Sequence, residues 1–411
     1  MKIEFDLQVM LDALGVASTV SPMAVTASNA AGFLFVVRGL TCAIYSRDEF
    51  CMARSTFSLT NSSEDGSFAY PAEATKALHL LTQSDTTCTL ESLIEDERHI
   101  IRYSVPSGAE AERVTFDPEL LFTCDEDLAN AEPAGEVNSG FLREAIAAAK
   151  PFLPSPKDTT VPEYTKAIQV LDKEKLPSGD GYLYVADTVR AFYFHTEAFS
   201  GINFDLHGVH LSTFLAFAAK CKGSIQIRKG SHFTFAVCLG EDGQEGAVFG
   251  WPKHAKHHEK FNRYSDDRDA YVLKVSKARM TNALQYMRME LDSTKDKVKL
   301  TFDSEQSTLQ LGAVDSSSKV KTTPIPVDVE KASGSWSCSL NVNHLTELFH
   351  GLRSTQVEFR VLLLSPTDQR KSQVGMFRTV DRFYLDSTGK VTPEPEGGVA
   401  CTVTRFMPSK D

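Results

Sequence analysis

Three histidines, His254, His257 and His258, come nearest to a metal site in this sequence. On a helix His254 and His258 would sit at i, i+4, a spacing that can hold zinc. Lysines flank them at 253, 256 and 260, and no helical apolar stripe accompanies them, so the segment reads as an exposed charged loop. Asp125 and Asp127 stand two apart, as in a calcium loop, but the glycine and terminal glutamate of an EF-hand are missing. Gly-Glu-Asp-Gly-Gln-Glu-Gly at 240–246 does not lead into a helix and reads as a polar hairpin turn, not a phosphate cradle. No P-loop, G-x-S-x-G or H-E-x-x-H pattern occurs. The eight cysteines, at 42, 51, 88, 124, 221, 238, 338 and 401, have no C-x-x-C spacing and read as thiols of a reducing compartment. The expectation is a protein that binds and does not catalyse, with no metal and no cofactor.

The elements that must position any binding surface come from a chain of 411 residues, too long for one core. Its 42% hydrophobic and 24% charged residues are those of a globular protein. A net charge of −11 argues against coating nucleic acid with the whole surface, though not against a local basic lining. The start, MKIEFDLQVM, has no unbroken apolar run of a signal peptide, and Thr26, Ser28 and Asn29 interrupt the most apolar stretch, MAVTASNAAGFLFVV. A cytoplasmic protein without a membrane segment is expected, and Asn61-Ser62-Ser63 then reads as a turn and not a glycosylation site.

Self-similarity organises the chain. The apolar register i, i+3, i+4, i+7 of an amphipathic helix appears at six places, opening on Leu7, Ala74, Leu142, Leu211, Met280 and Leu345. Odd-numbered helices, read from 7, 142 and 280, recur after 135 and 138 residues; even-numbered ones, from 74, 211 and 345, after 137 and 134. Each first helix is followed by alternating strand segments, such as GFLFVVRG with TCAIYSRD, or DKVKLTFDSEQSTLQLGAVD turning at Asp303 to Gln306. Each second helix leads into more, such as CTLESL with RHIIRYSV and SIQIRKG with HFTFAVCL. In the last unit Asn341 or Asn343 can cap the helix, and Val357, Phe359 and Val361 alternate as a half-buried strand. The predicted fold class is α+β: three repeated domains, 1–125, 139–252 and 268–411, each with two helices packed on antiparallel sheet. Linkers fall at the acidic, Ala/Gly-rich 124–140 and the highly charged 253–269.

This order resembles the bacterial replicative sliding clamp, the beta subunit of DNA polymerase III. MKIEFDLQVMLDALGVAS resembles that family's opening strand and helix. GFLFVVRGLTCAIYSRDEF, followed by GSFAYPAEATKALHLL, is similar to its first-domain hairpin and second helix. NVNHLTELFHGL is similar to a third-domain helix, and VTRFMPSKD to the family's ending. The last three residues, Ser409-Lys410-Asp411, depart from the family's basic-hydrophobic end, 387–398 is an added Gly/Pro/Glu stretch, and the 253–269 linker is His-rich. The expectation is a divergent clamp, from a phage or plasmid-like replicon more than a typical cellular one.

The resemblance implies a DNA polymerase processivity factor. Two chains would close head to tail into a ring whose twelve helices line a hole around double-stranded DNA, held without reading sequence. Replicative DNA polymerase, clamp loader and a second copy of the chain are the implied partners. The six helical segments carry Lys76, Arg143, Lys150, Lys220, Lys222, Lys277, Arg279, Arg288 and Arg353, against seven acids; the lining nets +2 and everything else −13. Each basic residue alone reads more readily as part of a solvated helix face, and the DNA reading gains only from the ring geometry that the resemblance implies. The polar face with His344, Glu347 and His350 is expected to look into the hole. A partner-peptide pocket would use Thr188, Val189 and Arg190 with Phe406, Met407 and Pro408, whose other reading is edge packing. Ring closure would use Ile100, Ile101, Met287, Met289 and Leu291, for which core membership is the other reading. The alternative function is a clamp-fold scaffold that binds partner peptides without encircling DNA.

Overall fold

A computed structural model describes residues 1–22, 31–81, 85–121, 123–171, 181–186, 190–199, 201–240, 243–253, 271–291, 297–313, 320–332, 334–351, 355–363, 375–382, 384–385, 391–392 and 399–408. All six expected helices form, each in its place in a threefold pattern. The first repeat runs β1 (Lys2–Asp6), α1 (Leu7–Ala17), β2 (Gly32–Arg38), β3 (Thr41–Arg47), β4 (Met52–Ser58), β5 (Asn61–Ser62), β6 (Gly66–Pro71), α2 (Thr75–Leu81), β7 (Thr87–Glu95), β8 (Arg98–Ser104) and β9 (Glu110–Thr115). A short helix, α3 (Asp125–Ala129), leads into the second repeat. That repeat runs β10 (Glu132–Asn138), α4 (Ser139–Ala149), β11 (Ala167–Leu171), β12 (Gly181–Ala186), β13 (Arg190–Thr196), β14 (Phe204–His207), α5 (Leu211–Ala218), β15 (Ser224–Lys229), β16 (Phe233–Leu239) and β17 (Glu245–Pro252). The third runs β18 (Tyr271–Ser276), α6 (Lys277–Glu290), β19 (Lys297–Asp303), β20 (Thr308–Ala313), β21 (Ile325–Lys331), β22 (Trp336–Asn341), α7 (Val342–Gly351), β23 (Gln356–Leu363), β24 (Gly375–Arg382), the two-residue β25 (Tyr384–Leu385) and β26 (Val391–Thr392), and β27 (Val399–Pro408).

Pairing repeats as well as order. The strand before each first helix pairs antiparallel with the strand after each second helix: β1 with β7, β10 with β15, β18 with β23. The strand after each first helix pairs with the one before each second helix: β2 with β6, β11 with β14, β19 with β22. Each helix therefore joins two strands that pair with other strands and not with each other; α1, for example, leads from β1 in one sheet to β2 in another.

By compactness the chain forms two units, Met1–Ser139 with Val209–His254, and Gly140–Gly208 with Ala255–Asp411, so the middle repeat contributes to both. The first unit holds a sheet ordered β5-β1-β7-β8-β9 and one ordered β10-β15-β16-β17-β4-β3-β2-β6. The buried faces of α1 and α2 fill the core with Phe5, Phe35, Phe57 and Phe68. Each such fully buried phenyl stabilises by roughly 1.5–3 kcal/mol. In the second unit twelve strands run β14-β11-β12-β13-β27-β22-β19-β20-β21-β18-β23-β24, and β24 returns to β27. Asp6 caps α1 by accepting from the Val9 N–H (3.0 Å). Asn341, not Asn343, caps α7, accepting from the Asn343 and His344 N–H groups at 2.8 and 3.2 Å.

Several sequence expectations need adjustment. Asn61–Ser62 is not a free turn but a short strand on β1, pairing Ser62 with Ile3. Cys221 and Cys238, 17 residues apart, have their sulfurs in contact. The antiparallel pairing of β15 with β16, which sets Ile225 opposite Cys238, brings the two together. Cys42, Cys51, Cys88, Cys124 and Cys338 are free and buried. The 240–246 turn is a hairpin between β16 and β17, closed by the Gly240 N–H on the Gln244 carbonyl (2.9 Å).

Candidate nucleic-acid and partner interfaces

The polar helix faces hold the proposed DNA contacts. Lys76, Lys150, Lys220, Lys222, Arg279 and Arg288 are exposed, and Arg143 and Lys277 are half-buried. Arg353 lies outside the described residues. Lys150, Lys220 and Lys222 follow the ends of their helices, and Arg288 sits in the last turn of α6. Cations there offset the helix dipole whether or not phosphate is present. The α1 face is different: Gln8 and Asp12 are exposed and hydrogen-bonded to each other (2.8 Å). His344 and Glu347 on α7 are half-buried; the His350 side chain is not described.

Between the first two repeats, β4 pairs with β17 over Met52↔Gly250, Ala53↔Phe249 and Arg54↔Val248. The linker crosses this junction as a strap. Its Leu128 and Cys124 pack on Leu34, Tyr45, Met52, Phe235, Val237 and Val248. Two aspartates in the first turn of α3 fasten it. Asp125 accepts from the Tyr45 hydroxyl (2.6 Å) and from Arg54 (3.4 Å). Asp127 accepts from the N–H groups of Ser231, His232 (3.3 Å) and Phe233 (3.0 Å). Burial acts to raise the Asp127 carboxyl, but the three donors more than offset it and hold it below the usual carboxylate range. Gly230 is required here, since a Cβ would stand 2.4 Å from the Asp127 carboxylate. Burial, then the Asp125 carboxylate, pushes the Tyr45 phenol above its ordinary value, so it stays a donor.

The second pair of repeats is joined in the same way by β13 and β27, from Arg190↔Thr404 to His195↔Val399. The other side of β27 pairs with β24 from Gly375↔Phe406 to Arg382↔Val399, and its end pairs with β22 at Met407 and Pro408. Arg190 thus stands beside a strand that carries Phe406, Met407 and Pro408 within four residues, and the backbone brings these four proposed peptide-site positions to one junction. Their side chains are not described, and Thr188 and Val189 lie outside the described residues.

Each junction obeys one rule: the third strand after a repeat's first helix pairs with the last strand of the next repeat. Applied to the ends, it leaves two partners over. The last strand of the first repeat, β9, is the outer strand of its sheet. In the third repeat the corresponding segment is 320–326, held to β20 by Ala313 N–H on the Val320 carbonyl (3.0 Å), Thr322 N–H on the Leu311 carbonyl (2.8 Å) and the Leu309↔Ile325 pairing. Of the candidate closure residues, Ile101 and Met287 are fully buried and Ile100 nearly so, which matches their reading as core. Met289 is 83% exposed and Leu291 half-buried. Val114 on β9, 61% exposed, went unnoticed in the sequence because its neighbours are charged.

Sequence reasoning also missed Cys51 and His210, whose Sγ and Nδ1 lie 3.1 Å apart. The pair resembles a nucleophile and base, but both are buried and burial pushes the Cys51 thiol far up, so the thiol stays protonated and unreactive. The His254–His258 segment lies outside the described residues, and among the described residues no cluster of three His, Cys, Asp or Glu is placed to hold a metal. No described helix is long and apolar enough to cross a membrane.

No family model and no curated protein matches the sequence. Solved structures do. The DNA polymerase sliding clamp of Pseudomonas aeruginosa superposes with a TM-score of 0.73 at 13% identity, and that of Caulobacter crescentus with 0.73 at 13%. The Helicobacter pylori beta clamp bound to a DNA ligase peptide gives 0.67 at 14%. Each match covers 100% of both chains. The chain has the sliding-clamp fold from end to end.

Proposed function

We propose that this chain is a divergent DNA polymerase processivity factor, a non-enzymatic clamp that closes around duplex DNA as a head-to-tail pair. The observation that carries this reading is the junction rule. It is used twice inside the chain and, among the described residues, leaves β9 at one end and 320–326 at the other without their junction partners. Two copies satisfy both, giving six repeats and twelve helices. The basic residues at helix ends then face phosphate from many directions, and their attraction is weak, salt-sensitive and blind to sequence, as sliding requires. Retention comes from enclosure, which is why an acidic chain with an α1 face lacking Lys or Arg can serve.

Polymerase and clamp loader dock, in this reading, at the second junction. Arg190 and the Phe406–Pro408 strand form its edge, and the flexible thioether of Met407 suits a pocket that accepts several apolar peptides. The Helicobacter clamp that this fold resembles was solved with a DNA ligase peptide, which supports peptide docking as a use of the fold. Sedimentation velocity at micromolar concentration tests the closure: a closed species of two chains is expected, and a monomer throughout overturns it.

A further inference from the structure

A second cleft lies beside the strap, wholly within the first compact unit. It measures about 360 Å³ and opens where β4 and β17 cease to pair, beyond Arg54↔Val248. Val36, Ala43 and Leu128 line it with apolar surface, and Arg38, Arg54 and Arg228 supply its positive charge. An adjoining cavity of about 560 Å³ shares Val36, Arg38 and Asp125 and extends along the strap to Pro118 and Leu121.

Charge sets this cleft apart. The chain carries 54 acidic and 43 basic residues, yet here three arginines meet two carboxylates. Arg54 pairs with Asp125 and Arg228 with Glu245. Among the described residues no carboxylate pairs with the exposed Arg38, and the buried Nε of Arg54 has no hydrogen-bond partner. An exposed guanidinium outside any ion pair, over an apolar floor, is complementary to a carboxylate beside an apolar side chain. Duplex DNA fits less well: two of the three arginines are already neutralised, and the floor is hydrocarbon. We propose that this cleft docks an acidic–apolar segment of a protein partner, carboxylate on Arg38, apolar side chain on Val36, Ala43 and Leu128. The clamp would then offer two docking places per chain, one at each junction. The inference stands on the cleft itself and does not require that the second-junction pocket or the ring exist.

Photo-cross-linking on the full chain tests it. The probe is an acetylated leucine–phenylalanine–aspartate peptide bearing a benzophenone, with adducts located by mass spectrometry. Adducts on 36–56 and 118–131 are expected. They should fall about tenfold with Arg38→Glu, or when the peptide's carboxylates are replaced by amides. Arg38 is exposed, so its replacement leaves the fold intact, which an unchanged melting temperature checks. Arg38→Gln should give an intermediate loss. Adducts confined to 375–408, adducts indifferent to both Arg38 variants, or equal competition by a short DNA duplex would each overturn the proposal.

Discussion

The two junctions inside this chain follow one strand rule but are secured by different means. At the first, β4 and β17 share three residue pairs, and a strap with two anchored aspartates and an outer apolar cluster makes up the difference. At the second, β13 and β27 share six pairs, and β27 is also paired with β24 along its length. One joint depends on side chains laid across it, the other on continuous backbone pairing. Side-chain substitutions should therefore disturb the first joint most, whereas at the second they should change what binds there and leave the joint whole.

Phe235→Ala should have the largest effect. Phe235 is fully buried under the strap, and truncating such a ring costs about 3–5 kcal/mol. Urea unfolding followed by Trp251 fluorescence in a Trp336→Phe background reports on the first unit, which contains Trp251. A loss below about 1 kcal/mol would mean that the outer cluster does not hold the junction.

Asp127→Ala comes next. It strands three backbone donors and should cost about 1–3 kcal/mol at neutral pH. The pH dependence has a definite sign. The folded carboxyl is held below its unfolded value of about 3.9, so its contribution is complete above that value and disappears as pH falls through the folded one. The stability difference between wild type and Asp127→Ala should be flat from neutral pH to about pH 5 and shrink below about pH 4. A difference that persists undiminished at acid pH would show that the strap is held by packing and not by this carboxylate.

Met407→Ala probes the second junction. Affinity for a polymerase-derived apolar peptide should fall about tenfold by fluorescence anisotropy, while the sedimentation coefficient stays unchanged. Equal peptide affinity would remove Met407 from the binding site. The smallest effect is expected for Lys222→Ala, which should lower the salt dependence of DNA binding by about 0.9 in the logarithmic slope and leave both junctions intact.

How much of this was readable in the sequence follows from the range of each interaction. The six helices and their spacing are local patterns: Leu7, Met10, Leu11 and Leu14 mark the buried side of α1 within eight residues. The strap was not readable, and 124–140 passed for a plain acidic linker. Asp125 meets Tyr45 and Arg54 from about 70 to 80 residues away, and Asp127 meets 231–233 from over 100. Their i, i+2 spacing carries no trace of those partners. The Cys221–Cys238 contact spans only 17 residues, but that spacing carries no sign of the hairpin that brings the two together. Among the closure candidates, hydrophobicity marked Ile101 and Met289 alike, though one is fully buried and the other is the most exposed large apolar side chain described. Only the pairing of β8 between β7 and β9 decides which way Ile101 points.

The central claim is enclosure, and topology tests it most directly. The protein is placed on a nicked circular plasmid by its loader, freed of unbound chains by gel filtration at a salt concentration that abolishes phosphate attraction, and then the plasmid is cut once. A ring is retained on the intact circle and lost within the time needed to slide off the new ends. Retention that is the same before and after the cut, or failure to be retained on the circle at all, would contradict the account.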